Sequence, residues 1–449
     1  MRGNQTTLTV SPYGGIGQLG SGVSDNGSDI FTQWKHRFSD HSETTLQFYD
    51  SHYERVDAGI HEQLGTANFD FQHHVQIGSR NDVVWGVSTR LTQDHFGTRP
   101  GSMANTGFAI TFQPDAKDYA LFSSFFQDEI SLTHSLSVTV GTKVEHNAFT
   151  GFENEPSVRA AWLLTDSQTL WASASRAIRQ PSRLETGLDV VFSPVSVGPA
   201  SLAAAVVGNK DFQSETVEDY EAGYRVQPFE RVSVDVASFY GRYHNLESDA
   251  PSLPEISLYG GLPLITFPFQ FANSKEATSY GGELSTTWNA SSRLKLIGTY
   301  SLLETQIGTP QTAQTLPKAG SNLSAGLGQA ASLMAYEGVL QYLNAFAPDG
   351  GNVQGGSPRN QAGLRSYLYL TSAISFDTSY YYVGGLPARQ ISAYNRVDAR
   401  LAWKLKHNFQ LSLVGQNLLQ PRHMEFGDDD QVVGTDAERN IFARLAWSF

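Results

Sequence analysis

The sequence predicts an all-β protein whose strands form an antiparallel transmembrane β-barrel. Three observations lead to this fold class. Apolar and polar residues alternate along the predicted strands, and long connections alternate with short ones. The overall composition is that of a β-sheet with one apolar and one polar face. The alternation is clearest at the end of the chain, in residues 440–449. The apolar positions of that segment are Ile441, Ala443, Leu445, Trp447 and Phe449. Because neighbouring side chains of a strand point to opposite faces, we expect this segment to be the amphipathic strand that closes the barrel.

The same alternation recurs along the chain, together with the β-branched and aromatic residues that are typical of strands. Segment 394–404, for example, places Val397, Leu401 and Trp403 on one face. About 18 segments meet these criteria. The predicted strands cover residues 5–13, 30–38, 44–55, 67–77, 82–96, 118–132, 136–147, 155–164, 169–179, 217–227, 231–244, 278–289, 293–305, 359–370, 373–383, 394–404, 409–418 and 440–449.

The connections between these segments alternate in length. The short ones are tight turns, as at 39–43 and 78–81. The long ones cover residues 14–29, 56–66, 97–117, 180–216, 245–277, 306–358 and 419–439. In a membrane barrel the periplasmic turns are short and the extracellular loops are long. The sequence therefore predicts that the long connections leave the same rim of the barrel, on the cell exterior.

The composition argues against several other classes of protein. Charged residues make up 17% of the chain and aromatic residues 12%, and the mean hydropathy is slightly negative. A helical membrane protein would be far more hydrophobic, and no apolar run reaches the roughly 18 residues of a spanning helix. A net charge of -13 argues against nucleic acid as a partner. Without cysteine, the chain has no disulfide and no thiolate metal site.

The amino-terminal residues have neither the apolar core nor the small-residue cleavage site of an export signal. Two interpretations of this start are open: the sequence is a piece of a longer precursor, or its first residue is misassigned. No linker divides the chain. We therefore expect residues 1–449 to form one partial barrel.

Tryptophans lie near the ends of several predicted strands, where a membrane barrel carries its interfacial aromatic girdles. The predicted girdle residues are Trp162, Trp171, Trp288, Trp403 and Trp447.

Two stretches within the long connections also have an apolar pattern of their own. Residues 330–346 are predicted to form a short amphipathic helix. Residues 260–271 are predicted to form an apolar loop, which either packs on its neighbours or contacts a ligand or the membrane surface.

Motifs that follow one another in a fixed order carry a family resemblance. Residues 169–185 read TLWASASRAIRQPSRLE, and residues 212–225 read FQSETVEDYEAGYR. Further markers are VGQNLL at 414–419 and RLAWSF at 444–449. The order and spacing of these motifs resemble the barrel of TonB-dependent receptors, from about residue 80 to the end of the chain.

The resemblance implies an outer-membrane importer of a Gram-negative bacterium, which takes up a ferric siderophore or a similar bulky nutrient and is energised through the TonB complex. Receptors of this family hold a plug domain inside a barrel of about 22 strands. The resemblance thus implies that the plug and about four strands are missing here. It implies outer-membrane lipid, the plug, the TonB complex and the nutrient as partners, and no cofactor. A passive porin-like channel stays open as an alternative, because such a channel needs no plug.

Charged residues on the polar faces of two motif strands are the candidate contacts with plug or substrate. Asp219, Glu221 and Arg225 alternate with aromatic and aliphatic residues in segment 217–227. If this strand pairs with the preceding one, we expect Arg179 to meet Glu221 or Asp219 inside the lumen. An Arg in the middle of the lipid costs roughly 2–4 kcal/mol, so the charges face the lumen. The cluster either stiffens the wall as a lattice of salt bridges or contacts plug or substrate.

No arrangement of residues predicts a metal site or an active site, so we expect a transporter and not an enzyme. His73 and His74 are adjacent and would face opposite sides of a strand. His52 and His61 flank a predicted acidic loop but lack the spacing of metal ligands. The aspartate run 428–430 either attracts a divalent cation, since hard cations prefer carboxylates, or is a solvated loop tip, which is the more common case. A serine nucleophile has no supporting motif.

Overall fold

The computed structural model describes residues 4–15, 24–56, 59–98, 108–197, 200–308, 354–406, 408–426 and 435–447. Within these ranges there are 25 strands, and 23 of them belong to one sheet. The predicted all-β, antiparallel fold class is confirmed. Among the described residues, no helix is both long enough and apolar enough to span a membrane.

Every segment in which the sequence predicted a strand forms one, and together these strands are called the wall below. The wall strands are β1 (Asn4–Gly15), β2 (Ser24–Ser39), β3 (Ser42–Val56), β4 (Ile60–Ile77), β5 (Asn81–Thr98), β7 (Ala116–Ser131), β8 (Leu136–Asn147), β9 (Gly151–Thr165), β10 (Gln168–Arg179), β14 (Glu215–Phe229), β15 (Val232–Pro251), β17 (Leu262–Asn289), β18 (Leu294–Gly308), β19 (Asn360–Tyr369), β20 (Ile374–Val383), β21 (Tyr394–Lys406), β22 (Phe409–Gln416) and β25 (Asn440–Trp447). Each wall strand pairs antiparallel with the next one in this order.

The long connections contain structure that the sequence analysis treated as loop. The additional strands are β6 (Phe108–Phe112), β11 (Leu188–Phe192), β12 (Val195–Val197), β13 (Ala200–Val207), β16 (Glu255–Tyr259), β23 (Arg422–Phe426) and β24 (Thr435–Glu438). A short helix, α1 (Arg183–Gly187), precedes β11. The prediction of a long loop at 56–66 is wrong, because β4 begins at Ile60. The predicted helix at 330–346 and the aspartate run 428–430 lie outside the described residues.

The antiparallel order sends successive connections to opposite rims of the wall. The turn rim carries tight turns such as Asp40–His41, between β2 and β3. The loop rim carries the connections between β5 and β7, β10 and β14, and β15 and β17, which hold most of the additional strands. The alternation of long and short connections therefore predicted the two rims correctly.

The two faces of the wall differ in polarity, as the alternation predicted. Tyr220, Tyr240 and Tyr280 lie opposite one another on β14, β15 and β17, and their side chains point outward with exposed fractions of 47%, 42% and 41%. Asp219 and Glu221 flank Tyr220 in sequence and point to the opposite, luminal face. An outward apolar surface is stable where hydrocarbon surrounds the barrel, and a polar lumen where water fills it.

Four of the five predicted girdle tryptophans lie on the outward face near the turn rim. Trp162, Trp288, Trp403 and Trp447 are between 48% and 62% exposed there. The prediction is wrong for Trp171, which faces the lumen opposite Gly223. A Cβ on Gly223 would lie 2.4 Å from the Trp171 ring, so the glycine makes room for the indole.

On the loop rim, the 23-stranded sheet continues beyond the wall through β6, β11, β13, β16 and the first part of β17, and this part of it is called the rim sheet below. Its strands pair antiparallel, except that β13 runs parallel to β17 from Ser201 and Leu264 onward. The predicted apolar loop at 260–271 is thus mostly strand. Gly260 and Gly261, both with positive φ, form the tight turn between β16 and β17.

Most of the buried apolar residues of the described chain belong to this rim region. In the rim sheet they are Phe112, Ala203, Ala204, Ala205, Leu264, Ile265, Phe267 and Phe271, and Phe212 and Leu246 lie beside it. Small alanines on β13 allow the larger side chains of β17 to pack closely. The rim sheet consequently has an apolar core of the kind found in water-soluble domains, whereas the wall does not.

Candidate functional site in the lumen and at the loop rim

The motif RQPSR connects the wall to the rim sheet. Arg179 ends β10, and Pro181, which is fully buried, stops the strand. Ser182 then caps α1: its Oγ accepts a hydrogen bond from the Leu184 amide at 3.1 Å. In return, Glu185 Oε2 accepts one from the Ser182 amide at 2.8 Å. This reciprocal pair is a capping box, which fixes the direction of the chain as it leaves the wall.

Arg179 binds three carboxylates at this junction. Its Nε lies 2.8 Å from Glu215 Oε2, and its Nη1 lies 2.5 Å from Glu185 Oε1. Its Nη2 lies 3.4 Å from Glu247 Oε2. Glu215 also accepts a hydrogen bond from the Glu247 amide at 2.7 Å. One guanidinium thereby ties together β10, α1, β14 and β15.

The expected contact of Arg179 with Glu221 or Asp219 is therefore wrong, although the predicted pairing of β10 with β14 is right. The register places Arg179 opposite Glu215. Glu221 lies six residues further along the strand, which corresponds to about 20 Å. The alternation gave the correct face for these residues, but it contained no information on register.

The other predicted luminal charges form separate local contacts. Glu221 accepts a hydrogen bond from Ser173 Oγ at 3.1 Å. Arg225 lies opposite Asp235, and Arg225 Nη2 is 2.5 Å from Asp235 Oδ2. Asp219 lies opposite Ser175. The four predicted residues Arg179, Asp219, Glu221 and Arg225 thus share one luminal face, but the structure does not bring them together in one cluster.

A buried ion pair below α1 was not found by the sequence analysis. Arg183 Nε lies 2.9 Å from Asp94 Oδ2, and the side chains are 6% and 0% exposed. Arg183 also donates a hydrogen bond to the Pro114 carbonyl oxygen. Its guanidinium lies 5.6 Å from the centre of the Phe96 ring. This ion pair attaches α1, and with it the rim sheet, to β5. The only sequence signal was the position of Arg183 in the first turn after the RQPS run.

Two carboxyl groups of the rim region have shifted pKa values. Burial raises the pKa of Glu185, but hydrogen bonds from Ser182 and Arg179 outweigh this effect and hold it below its usual value. Burial raises the pKa of Asp189, and the nearby negative charge of Glu255 raises it further. The Glu185 carboxylate is consequently kept ionised as a partner for Arg179.

The final strand lies where the alternation placed it in the wall. Ile441, Leu445 and Trp447 point outward and are 67%, 63% and 62% exposed. β25 pairs with β22, and β1 pairs with β2. The closing role of β25 stays a prediction, and Phe449 lies outside the described residues.

The histidines singled out in the sequence are engaged in separate pairs. His73 lies on the outward face, where its Nε2 is 3.0 Å from Ser42 Oγ, and His74 bonds to Asp82 on the luminal face. His52 and His61 lie 3.1 Å and 2.7 Å from Asp50 and Glu54. Among the described residues, no three histidine or carboxylate side chains are grouped so that they could hold a metal ion.

An antiparallel wall with an outward apolar face and a charged luminal face is the arrangement of an outer-membrane β-barrel. The chain belongs to the family of TonB dependent receptor-like β-barrels, whose model matches residues 3–418. It is therefore a protein of the Gram-negative outer membrane, and its family is one of receptors and transporters, not of enzymes.

Individual relatives agree with this assignment. The chain is 29% identical over 136 residues to the ferrienterobactin receptor of Escherichia coli K12, a match that covers 29% of this chain and 18% of the relative. A mutant ferric enterobactin receptor of Pseudomonas aeruginosa, solved with enterobactin, is similar over 95% of this chain with a TM-score of 0.68 and 15% identity. The match spans 63% of that receptor, less than two thirds of its length. A siderophore receptor of Acinetobacter baumannii is similar over 99% of this chain and 77% of its own, with a TM-score of 0.66 and 12% identity.

Proposed function

We propose that this chain is the barrel of an active importer for ferric siderophores or a similar bulky iron chelate. The observation that carries the proposal is the family match, which extends over nearly the whole wall and the rim sheet. The relatives support the choice of cargo, since they are receptors for ferric enterobactin and other siderophores.

The rim sheet and the luminal charges are proposed to act at successive stages of uptake. The rim sheet stands at the entrance, where a rigid apolar core holds the surrounding loops in place for capture. Arg179 and its three carboxylates lie directly below this entrance. We propose that Asp219, Glu221 and Arg225, further down the same face, contact the cargo or a plug domain that occupies the lumen. Release of the cargo is proposed to need the plug and the TonB complex as partners.

Uptake of radioactive iron tests this function. The full-length receptor gene is expressed in a strain that lacks its own siderophore receptors, and a panel of ferric catecholate, hydroxamate and mixed chelates is supplied. We expect uptake of at least one chelate, and we expect it to stop when TonB is deleted. Uptake that continues without TonB would instead indicate a passive channel. Failure with every chelate would remove iron import as the function.

A further inference from the structure

The outward face of the wall has a depression between β3 and β7, close to the loop rim. Its floor is formed by the small residues Gly65, Ala67 and Ala120, with Leu91 between them. A Cβ on Gly65 would lie 3.3 Å from His52 Nδ1, so the glycine allows the imidazole to lie against the wall. The depression is an open cavity of about 470 Å³ and is called the upper pocket below.

A second open cavity continues from the upper pocket toward the turn rim and is called the lower pocket. Its volume is about 440 Å³, and the rings of Phe69, Phe122 and Phe152 form its sides. These rings are 43%, 54% and 78% exposed, so they project from the wall. Phe69 and Phe122 each lie two residues from the floor residues Ala67 and Ala120, on the same face. The two pockets therefore form one continuous groove.

The depth of the two pockets in the membrane follows from strand β5. Trp85 is 39% exposed on the outward face near the turn rim, where an interfacial girdle is expected. Gln93 lines the upper pocket and lies further along β5, at a distance of about 26 Å by the usual rise per residue. A strand tilt of about 40° reduces this distance to about 20 Å across an apolar band about 25 Å tall. The lower pocket thus lies in the hydrocarbon, and the upper pocket lies near the lipid headgroups.

Carboxylates line the upper pocket, and no lysine or arginine does. Asp50 and Asp118 lie at its sides, on β3 and β7. Asp50 Oδ1 is 3.1 Å from His52 Nε2, and no cation lies within ion-pair distance of Asp118 among the described residues. Within the described ranges, the alternation places no lysine or arginine on the outward face of β3, β4, β5, β7 or β8. An ammonium group would find two acceptors here, whereas an anionic group would be repelled.

The outward face of β10 to β17 differs in both shape and charge. Tyr220, Tyr240 and Tyr280 lie side by side on that face and fill it with large rings. Arg176 and Arg242 point outward in the next row toward the loop rim. A groove with acidic sides is therefore a local property of β3 to β9 and not a general feature of the outward face.

We propose that this groove binds one lipid molecule whose headgroup carries an ammonium group. An acyl chain lies in the lower pocket against the three phenylalanine rings, and the ammonium group donates hydrogen bonds to Asp50 and Asp118. An ordinary contact with the bilayer accepts any headgroup, whereas a site with two carboxylates and no fixed cation selects the headgroup by its charge. The inference goes beyond the proposed import function, because the groove lies on the face of the wall opposite to the lumen.

Retention of lipid by the purified receptor tests the site. The full-length receptor is purified in a mild detergent, and phosphatidylethanolamine or phosphatidylglycerol with the same acyl chains is added. Native mass spectrometry then measures how much of each lipid stays bound. We expect one tightly held phosphatidylethanolamine per receptor and retention of the anionic phosphatidylglycerol that is weaker by about fivefold or more.

Two variants separate the contribution of the acyl chain from that of the headgroup. Ala67→Phe with Ala120→Phe fills the floor of the groove and should weaken retention of phosphatidylethanolamine about tenfold. Asp50→Asn with Asp118→Asn keeps the shape and removes the charge, so the preference for phosphatidylethanolamine should fall to less than about twofold. Folding of each variant is checked by its mobility in SDS gels without heating, because a folded barrel resists SDS.

Matched controls make the same changes on the outward face outside the groove. Ala222→Phe adds an outward ring on β14, and Glu218→Gln with Glu276→Gln removes two outward carboxylates from β14 and β17. Both controls should retain phosphatidylethanolamine as the unaltered receptor does.

Three outcomes would overturn the proposal. The first is equal retention of the two lipids by the unaltered receptor, which would indicate ordinary bilayer contact. The second is unchanged retention after the groove is filled, or an unchanged preference after the two aspartates are replaced. The third is an equal loss in the control variants. Because the measurement uses no iron chelate and no TonB, its failure leaves the uptake experiment, and the proposed function, unaffected.

Discussion

The wall and the rim sheet differ in where their large apolar side chains lie: outside in the wall and inside in the rim sheet. In the wall, large apolar side chains such as Leu284 and Tyr280 point outward and are each 41% exposed. In the rim sheet, Phe267 and Phe271 point inward and are 7% and 4% exposed. Both regions are β-sheet from one chain, and in one case they are parts of one strand, β17. The solvent, hydrocarbon around the wall and water around the rim sheet, determines which side holds the apolar residues.

The rim sheet continues from the wall through β17 and its ladder with β15, and the difference in solvent implies that polar contacts attach the rest of it to the wall. Hydrocarbon cannot hold it, and its own core is small. Arg183 with Asp94, and Arg179 with its carboxylates, are those contacts in the structure. Loss of a contact should therefore affect the rim sheet while the wall stays folded.

The largest effect is expected from Arg183→Ala. The change leaves Asp94 buried without its partner, which typically costs about 3–5 kcal/mol. Because the pair lies at the rim, we expect proteases to cleave between residues 180 and 216, while the wall keeps its resistance to SDS. Limited proteolysis and unheated gel mobility measure the two regions separately.

A double variant, Arg183→Met with Asp94→Leu, is the control for Arg183→Ala. It replaces the ion pair by apolar side chains and should restore most of the protease resistance, since no unpaired charge is left. If Arg183→Ala unfolds wall and rim sheet together, the two regions are a single cooperative unit.

A charge exchange on neighbouring residues tests the two faces of the wall. Leu284→Arg places a cation on the outward face and should destabilise the barrel in a lipid bilayer by about 2–4 kcal/mol. Glu283→Arg, one residue away on the luminal face, should cost much less because the side chain stays in water. Urea titration in vesicles measures both. Equal costs would contradict the assignment of the faces.

The smallest effect is expected from acid. Since the pKa of Glu185 in the folded protein is below its usual value, its contribution to stability is present above the pKa of the unfolded chain and is lost as the pH falls through the folded pKa. Below about pH 4, we expect the rim sheet to become more sensitive to urea. Glu185→Gln should remove this part of the pH dependence. An unchanged pH profile in that variant would show that other carboxyl groups dominate.

Much of the wall could be predicted from the sequence, because apolar and polar side chains alternate along its strands with a period of two. Lipid on one side of the wall requires that pattern. Ile441, Leu445 and Trp447 were placed on the outward face by the alternation alone. The girdle prediction failed for Trp171 because it rested on nearness to a strand end, whereas the alternation along β10 puts Trp171 on the same luminal face as Arg179.

The candidate site was predicted in its parts but not in its contacts. Arg179, Asp219, Glu221 and Arg225 were identified as luminal, yet the partners of Arg179 come from α1, β14 and β15. All three of these carboxylates lie in connections that were predicted as long loops, at 180–216 and 245–277. Contacts between residues that are far apart in the chain cannot be predicted from a local sequence pattern. The clearest example is the ion pair of Arg183 with Asp94, which are 89 residues apart.

The sequence by itself determined the fold class, the two rims and the polarity of each face, because these follow from local alternation and from the lengths of the connections. Only the tertiary structure decided the register between strands, the rim sheet and the partners of each charge. Register depends on which of many similar polar pairs meet, and the rim sheet depends on burial between segments far apart in the chain. Both are properties of packing in three dimensions, which a pattern with a period of two does not encode.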